Sequence, residues 1–316
     1  MFSEDIPEPP DCQIMSKSKS AKPRAVDDLW TKIENEPVEI DADQTETTVL
    51  FVGDSGSGKT SLINSFLKAS STKQPKPTFA LDYSFARKKV ASSFSSSGGK
   101  SVAHVWELGG DINEPGLLDV PISVQNLKSL SIVVCCDLSE PHNVLKSIRK
   151  WIKIVREVLA KRFSAYESVI GGKFEVDNSR KGQFEGHCDK RILSLFKIPL
   201  YVIANKYDIF RDTGSVERRS TIQILRFVSH YYGATFMCAS SVDSSLRDNF
   251  KNFINTVCFK LPQKQSCETN HEKAVYVFAG KDSFENILLG NKTGDSSGPE
   301  SSHSSGGGSK VSRCTL

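Results

Sequence analysis

The amino-acid sequence predicts an α/β fold built on a doubly wound, mostly parallel sheet. Three observations predict it. Short apolar runs alternate along the chain with amphipathic helical stretches. Two of the runs, 132–138 and 199–204, are apolar almost throughout, as expected of parallel strands that are covered on both faces. A glycine-rich turn at 53–60 joins the first strand to the first helix, where such sheets bind ligands.

The elements follow from hydrophobic periodicity and from turn residues. Predicted strands cover 49–52, 78–85, 101–108, 132–138, 199–204 and 234–238. Predicted helices follow the glycine-rich turn and cover 143–163, 216–232 and 246–261, and a loop with a further helix is expected over 117–129. Gly233 predicts the end of the third helix, because glycine readily takes the left-handed conformation that ends helices.

Composition divides the chain into an ordered middle and polar ends. Few apolar residues occur in 1–46, and 291–316 is rich in Ser and Gly, so both ends are predicted to be disordered tails. Between them we predict a main domain over 47–261, with a surface insertion at 164–197, and an extension at 262–290 packed on the domain. Within the first tail, 26–33 carries a helical apolar stripe, which indicates either a docking helix or a short helix lying on the domain itself.

Charge and cysteine usage exclude several classes of function. The net charge of +4 is small for 316 residues, so nucleic-acid binding is not expected. Because no apolar run approaches membrane-spanning length, we predict no membrane insertion and a cytosolic protein. The eight cysteines include no C-x-x-C pair, which argues against zinc, and no disulfides are expected.

The turn at 53–60 matches the phosphate-binding loop G-x-x-x-x-G-K-T in full. Its glycines allow successive N–H groups to point inward around an anion, and the following helix adds its positive dipole end. Lys59 is predicted to reach the β- and γ-phosphates, and the Thr60 hydroxyl to bind Mg²⁺. The candidate phosphate-binding residues are Gly53, Asp54, Ser55, Gly56, Ser57, Gly58, Lys59, Thr60 and Ser61.

A second motif, Asn205-Lys206-x-Asp208, follows a predicted buried strand and has the form of the guanine-reading motif of Ras-like GTPases. A carboxylate at 208 can accept hydrogen bonds from the N1–H and the 2-amino group of guanine, whereas adenine lacks that donor pair. Ala239-Ser240 matches the segment behind the base. The sequence therefore predicts a Ras-like P-loop fold that binds GTP or GDP with Mg²⁺.

Thr60, Thr78 and Glu107 are the candidate metal ligands, but the third motif departs from the GTPase pattern. Glu107 stands where these enzymes carry an aspartate, and Asp111 stands where they carry the glutamine that orients water. We therefore expect nucleotide binding to be preserved and hydrolysis to be impaired, with no catalytic residue. A static nucleotide site and an active, cycling GTPase remain two separate hypotheses at this point.

Several segments of the chain resemble one protein family more specifically. They are 75–83, 206–210, 225–234, 274–284 and the string Ala103-His104-Val105-Trp106-Glu107-Leu108-Gly109-Gly110. The chain resembles the dynein light intermediate chain family over about 47–290, and within that family the branch of cytoplasmic dynein 2.

The resemblance implies a non-catalytic subunit with a Ras-like fold. It implies binding to the dynein 2 heavy chain and other dynein 2 subunits, with a role in retrograde intraflagellar transport and cilium assembly. The expected locations are the cytoplasm, cilium, ciliary basal body and cytoskeleton. Function is then expected on the outer surface, at 143–163, 216–232 and 274–290.

Overall fold

The computed structural model describes residues 45–67, 75–90, 99–111, 115–261 and 266–289. The strands in these ranges are β1 (Thr45–Gly53), β2 (Leu81–Val90), β3 (Gly99–Leu108), β4 (Leu130–Asp137), β5 (Leu200–Asn205), β6 (Thr235–Cys238) and β7 (Tyr276–Val277). The α-helices are α1 (Lys59–Leu67), α2 (Pro141–Ile170), α3 (Asn178–Gln183), α4 (Tyr207–Phe210), α5 (Ser215–Tyr231), α6 (Ser244–Phe259) and α7 (Phe284–Leu289).

The strands form one sheet in the order β2-β3-β1-β4-β5-β6-β7. The five inner strands are parallel, and the edge strands β2 and β7 are antiparallel to their neighbours. The predicted doubly wound α/β class is confirmed. The tails predicted at 1–46 and 291–316, except for the first residues of β1, and the stripe at 26–33 lie outside the described residues.

Each face of the sheet is covered by two helices. Along β1, Leu50 and Val52 belong to one core cluster, and Val49 and Phe51 belong to the other. The first cluster packs against α2 and α5, and the second packs against α1 and α6. Burial on both faces explains why β4 and β5 are apolar without alternation, whereas burial alternates along 101–106 of β3.

The long helix α2 runs past its predicted end. The prediction placed the helix at 143–163, but it continues to Ile170 and ends where Gly171 takes φ 75° and donates its N–H to the carbonyl of Glu167. Tyr166 is buried and extends the apolar face by one more turn. Trp151 is fully buried near the middle of the helix, which fixes α2 against the sheet.

The segment 164–197, predicted as a surface insertion, is largely exposed but places several side chains in the core. Phe174, Phe184 and Phe196 are buried. The guanidinium of Arg180 is buried too, and it donates to the carbonyl oxygens of Phe196 (3.0 Å) and Gly233 (3.1 Å). The isolated aromatics follow no helical or strand period, so the sequence pattern did not reveal that they enter the core.

The prediction of a helix within 117–129 is wrong, because only a 3₁₀ helix forms, at Pro115–Asp119. Asn126 explains the difference. Its side chain accepts from the Ser123 N–H (3.1 Å) and donates to the Pro121 carbonyl (2.8 Å). Such side-chain bonds to the local backbone favour a turn over a helix.

The extension at 266–289 continues the domain. Its strand β7 pairs with β6, and Val275 and Val277 enter the core. Asp282 forms a buried, bidentate ion pair with Arg226 of α5, and both N–O distances are 2.8 Å. In the described ranges, no helix combines the length and apolar character needed to cross a membrane.

Candidate functional site

The glycine-rich loop lies between β1 and α1, at the carboxyl edge of the sheet. Gly56 and Gly58 have positive φ values of 76° and 82°, which side-chain-bearing residues rarely adopt. A Cβ at Gly58 would also lie 2.2 Å from the side-chain nitrogen of Asn205. Both constraints require glycine, and they produce the backbone turn that can surround an anion.

Lys59 is folded over this loop. Its ammonium donates to the carbonyl oxygens of Gly53 (2.8 Å) and Asp54 (3.0 Å), and the side chain is buried. Burial lowers the pKa of Lys59, while the nearby Glu107 carboxylate opposes that shift. The cation is therefore already positioned at the loop, which is the arrangement that phosphate binding requires.

The three predicted metal ligands converge on one point. The Thr60 hydroxyl donates to Glu107 Oε1 at 2.6 Å, and the Thr78 hydroxyl also bonds to this carboxylate. Burial raises the pKa of the Glu107 carboxyl, and the two hydroxyls and Lys59 oppose the shift. Two hydroxyls and a carboxylate are the hard oxygen ligands that Mg²⁺ prefers, so these residues fit the ion.

Asn205 links the second motif to the loop. Its side-chain N–H donates to the Ser57 carbonyl at 2.9 Å, and the residue is fully buried. Asn205 Oδ1 and Ser57 Oγ are buried without a hydrogen-bond partner in the described part of the chain. Buried polar atoms usually have partners. These two atoms therefore suit a site that takes a polar ligand.

The remaining base-site residues are held by one another. Asp208 accepts a hydrogen bond from the Ser240 hydroxyl, and Ala239 accepts from the Tyr207 N–H at 3.0 Å. Lys206 has a left-handed backbone and pairs with Asp137 at the end of β4. Asp137 was missed by sequence reasoning, because only the parallel pairing of β4 and β5 brings it beside the motif.

Asp54 was predicted as part of the loop, but its side-chain partners were not. It accepts hydrogen bonds from the Trp151 indole N–H (2.9 Å) and the Lys150 ammonium (3.2 Å), both on α2. Burial opposes ionisation, yet the polar side chains of Ser147, Trp151 and Lys150 together outweigh it and lower the pKa of Asp54. These contacts join the phosphate loop to α2, although the residues involved are about a hundred positions apart in sequence. Local sequence patterns do not reveal such contacts.

The two glycines after β3 lie against neighbouring backbone. A Cβ at Gly109 would lie 2.7 Å from the carbonyl oxygens of Thr78 and Phe79. A Cβ at Gly110 would lie 1.9 Å from the Ser55 nitrogen. The Trp-Glu-Leu-Gly-Gly string therefore ends in two glycines because only glycine lets the chain after β3 pass this close to the 78–79 segment and to the phosphate loop.

Comparisons with known proteins agree with these features. A family model described as dynein light intermediate chain matches residues 25–167. The cytoplasmic dynein 2 light intermediate chain 1 of Bos taurus is 34% identical over 249 residues, covering 77% of this chain and 68% of the relative. Its Homo sapiens counterpart is 32% identical over 253 residues, covering 78% and 69%.

A solved structure supports the fold. The crystal structure of the dynein light intermediate chain's conserved domain superimposes with a TM-score of 0.52 and 15% identity, covering 79% of this chain and 87% of that one. The present chain spans about two thirds of the length of the two sequence relatives. The resemblance inferred from the motifs is confirmed, and the chain belongs to the dynein light intermediate chain family.

Proposed function

We propose that this chain is a non-catalytic light intermediate chain subunit of the cytoplasmic dynein 2 motor. It supports retrograde intraflagellar transport and cilium assembly, and it acts in the cytoplasm, the cilium, the basal body and the cytoskeleton. The observation that supports this best is the similarity to dynein 2 light intermediate chains along more than three quarters of the chain.

Purification from ciliated cells tests the assignment. A tagged chain expressed near its natural level should copurify the dynein 2 heavy chain and other dynein 2 subunits, identified by mass spectrometry. The dynein 1 heavy chain in the same preparation is the internal comparison. Enrichment of dynein 1 alone, or of neither heavy chain, would contradict the proposal.

The phosphate loop supports a second part of the proposal, a guanine-nucleotide site that acts as a structural element. Lys59 and the loop N–H groups would hold the phosphates, and Asp208 would select guanine over adenine. Thr60, Thr78 and Glu107 would hold Mg²⁺, which would neutralise phosphate charge when bound. The unpartnered Asn205 Oδ1 and Ser57 Oγ support occupancy by a polar ligand.

Hydrolysis is proposed to be very slow. Asp111 is exposed next to Gly110, in the position where GTPases carry a water-orienting glutamine. A carboxylate at this position would repel the phosphate charge rather than orient water. Because the Glu107 carboxylate already accepts hydrogen bonds from the Thr60 and Thr78 hydroxyls, it supplies no free base for a nucleophilic water.

The heavy chain is proposed to bind where the three expected surfaces meet. Leu145, Ile224, Phe227, Tyr231 and Leu288 are among the residues lining an apolar groove of about 530 Å³ between α2, α5 and α7. We call it the α2–α5–α7 groove. Ile224 and Leu288 are 41% and 66% exposed, which is typical of a docking surface rather than a core.

Charge indicates the chemistry of the bound segment. Arg149 of α2 lines the groove and its basic side chain is exposed. An amphipathic helix of the heavy-chain tail, apolar on one face and acidic beside it, would complement both features. The groove thus supports a partner-binding role that is separate from the phosphate loop.

An active Ras-like regulatory GTPase is the second candidate function. The observation that favours it is the convergence of Thr60, Thr78 and Glu107 beside an intact Asn205-Lys206-x-Asp208 motif. Turnover of GTP by the purified chain separates the two functions. Repeated GTP hydrolysis, with each chain completing a turnover within seconds, would support the GTPase. It would contradict the static nucleotide site.

A further inference from the structure

A cluster of metal-binding side chains lies far from the phosphate loop in sequence. His187, Asp189 and His230 each place a ligand atom within 4.8 Å of the others. His187 and Asp189 lie between α3 and β5, and His230 lies near the end of α5. The two imidazole rings are 5.1 Å apart, centroid to centroid, a separation at which both can reach one ion.

The hydrogen bonds of His187 define its tautomer. Nε2 lies 2.8 Å from the carbonyl oxygen of Asp282, and a carbonyl can only accept, so Nε2 carries the hydrogen. Nδ1 therefore keeps its lone pair, in agreement with the Asp189 N–H that it accepts at 3.1 Å. A histidine that binds a metal through one nitrogen commonly donates the other N–H to a carbonyl in this way.

The other two ligands are held just as firmly. His230 Nε2 donates a hydrogen bond to Asp189 Oδ2 at 2.9 Å, and the Phe284 N–H donates to the same oxygen at 3.0 Å. Zinc bound at His230 Nε2 would take the place of that ring proton, which would be released to solvent. His230 is buried, and Asp282 beyond His187 is fixed by Arg226. The cluster therefore has a rigid surrounding layer, which metal sites need in order to keep their ligands oriented.

Cys188 is a fourth potential ligand. Its sulfur lies 3.8 Å from His187 Nδ1, and the residue is exposed. In a tetrahedral zinc site with bonds of about 2.0–2.3 Å, ligand atoms are roughly 3.3–3.6 Å apart. The sulfur does not lie within 4.8 Å of all three other ligand atoms, so the Cys188 side chain would have to rotate toward the cluster to complete a four-ligand set.

We propose that the chain binds a structural Zn²⁺ through His187 Nδ1, the Asp189 carboxylate, His230 Nε2 and the Cys188 thiolate. The ion would join the 187–189 segment, α5 and the start of α7, which are distant in sequence. Nitrogen, oxygen and sulfur ligands together suit zinc better than Mg²⁺. The sequence argued against zinc because it lacks C-x-x-C, but a site assembled from two separated segments has no such signature.

Zinc affinity of the full chain tests the proposal. The protein is purified without a polyhistidine tag, its metal content is measured by mass spectrometry, and Zn²⁺ binding is measured by competition with a chromophoric chelator. We expect about one zinc per chain. Because ligand loss should cost at least as much as loss of an outer-shell partner, His187→Ala and Asp189→Asn should each weaken affinity about tenfold or more.

Matched variants separate metal binding from folding. Asp189→Asn keeps an acceptor for Phe284 and His230, so it should fold while binding zinc poorly. His142→Ala and Cys267→Ser, at exposed positions outside the cluster, should leave affinity unchanged.

Cys188→Ser should abolish the thiolate-to-metal charge-transfer band of the Co²⁺-loaded protein. A folded wild-type chain that neither retains zinc nor binds added Zn²⁺ or Co²⁺ would show a hydrogen-bonded His–Asp–His network only, and would overturn the proposal.

Discussion

The buried ion pair between Arg226 and Asp282 gives the sharpest prediction about stability. Both side chains are 5% exposed, and the guanidinium bonds both carboxylate oxygens at 2.8 Å. Arg226→Met leaves the Asp282 charge buried without its partner. Removing one partner of such a pair costs about 3–5 kcal/mol of unfolding free energy. For a domain of this size, that corresponds to a fall in melting temperature of roughly 6–20 °C.

The double variant Arg226→Met with Asp282→Asn should recover most of that loss. No buried charge remains in it, and the asparagine oxygen can still accept from the Ser283 N–H, as Asp282 does at 3.0 Å. Arg219→Met on the exposed side of α5 is the control, and it should change stability by no more than about 0.5 kcal/mol.

Urea unfolding of the full chain, followed by circular dichroism, measures all three variants. The slope of the transition also shows whether the extension unfolds with the domain, because it scales with the surface exposed. A cost below about 1 kcal/mol for Arg226→Met would show that the Asp282 charge does not depend on Arg226 for its stability in the core. So would a double variant as unstable as the single one, since the loss would then not come from an isolated charge.

Three further predictions concern the phosphate loop. Gly110→Ala should lower the melting temperature, because a Cβ there would lie 1.9 Å from the Ser55 nitrogen, whereas Gly116→Ala, with open space around it, should not. Guanine nucleotides should raise the melting temperature of the wild type, Lys59→Ala should abolish that shift, and Asp208→Asn should reduce the preference over adenine nucleotides; an unshifted wild type would indicate an empty site. Phosphate release from GTP should be no faster than about 10⁻³ s⁻¹, and turnover near 1 s⁻¹ without a helper protein would show a working catalytic site.

The sequence predicted the sheet well because its signals are local. Continuous apolar runs such as 132–138 require burial on both faces, and the glycine-rich turn marks where the first strand ends. The end of α2 was missed because the burial of Tyr166 depends on packing against Phe174, which lies beyond the end of the helix. The same limit applied to Phe174 and Phe184, which enter the core without periodicity.

At the candidate site, residue types could be predicted but not their partners. The phosphate-loop motif pointed to Lys59 and Thr60, and the structure places Thr60, Thr78 and Glu107 together. The contact of Gly110 with the loop and the cluster of His187, Asp189 and His230 each join segments that are distant in sequence. No spacing rule connects such residues, so only the folded chain shows them.

We propose that the outer surface binds the motor while the phosphate loop is a static element. Copurification of the dynein 2 heavy chain tests this with three tagged chains in ciliated cells: Lys59→Ala, Ile224→Asp with Leu288→Asp, and the control Val120→Asp with Val169→Asp. The two control positions are exposed and lie outside the α2–α5–α7 groove. We expect only the groove variant to lose most of the heavy chain while remaining folded. Loss of the heavy chain from Lys59→Ala, with full retention by the folded groove variant, would show instead that the nucleotide site controls assembly.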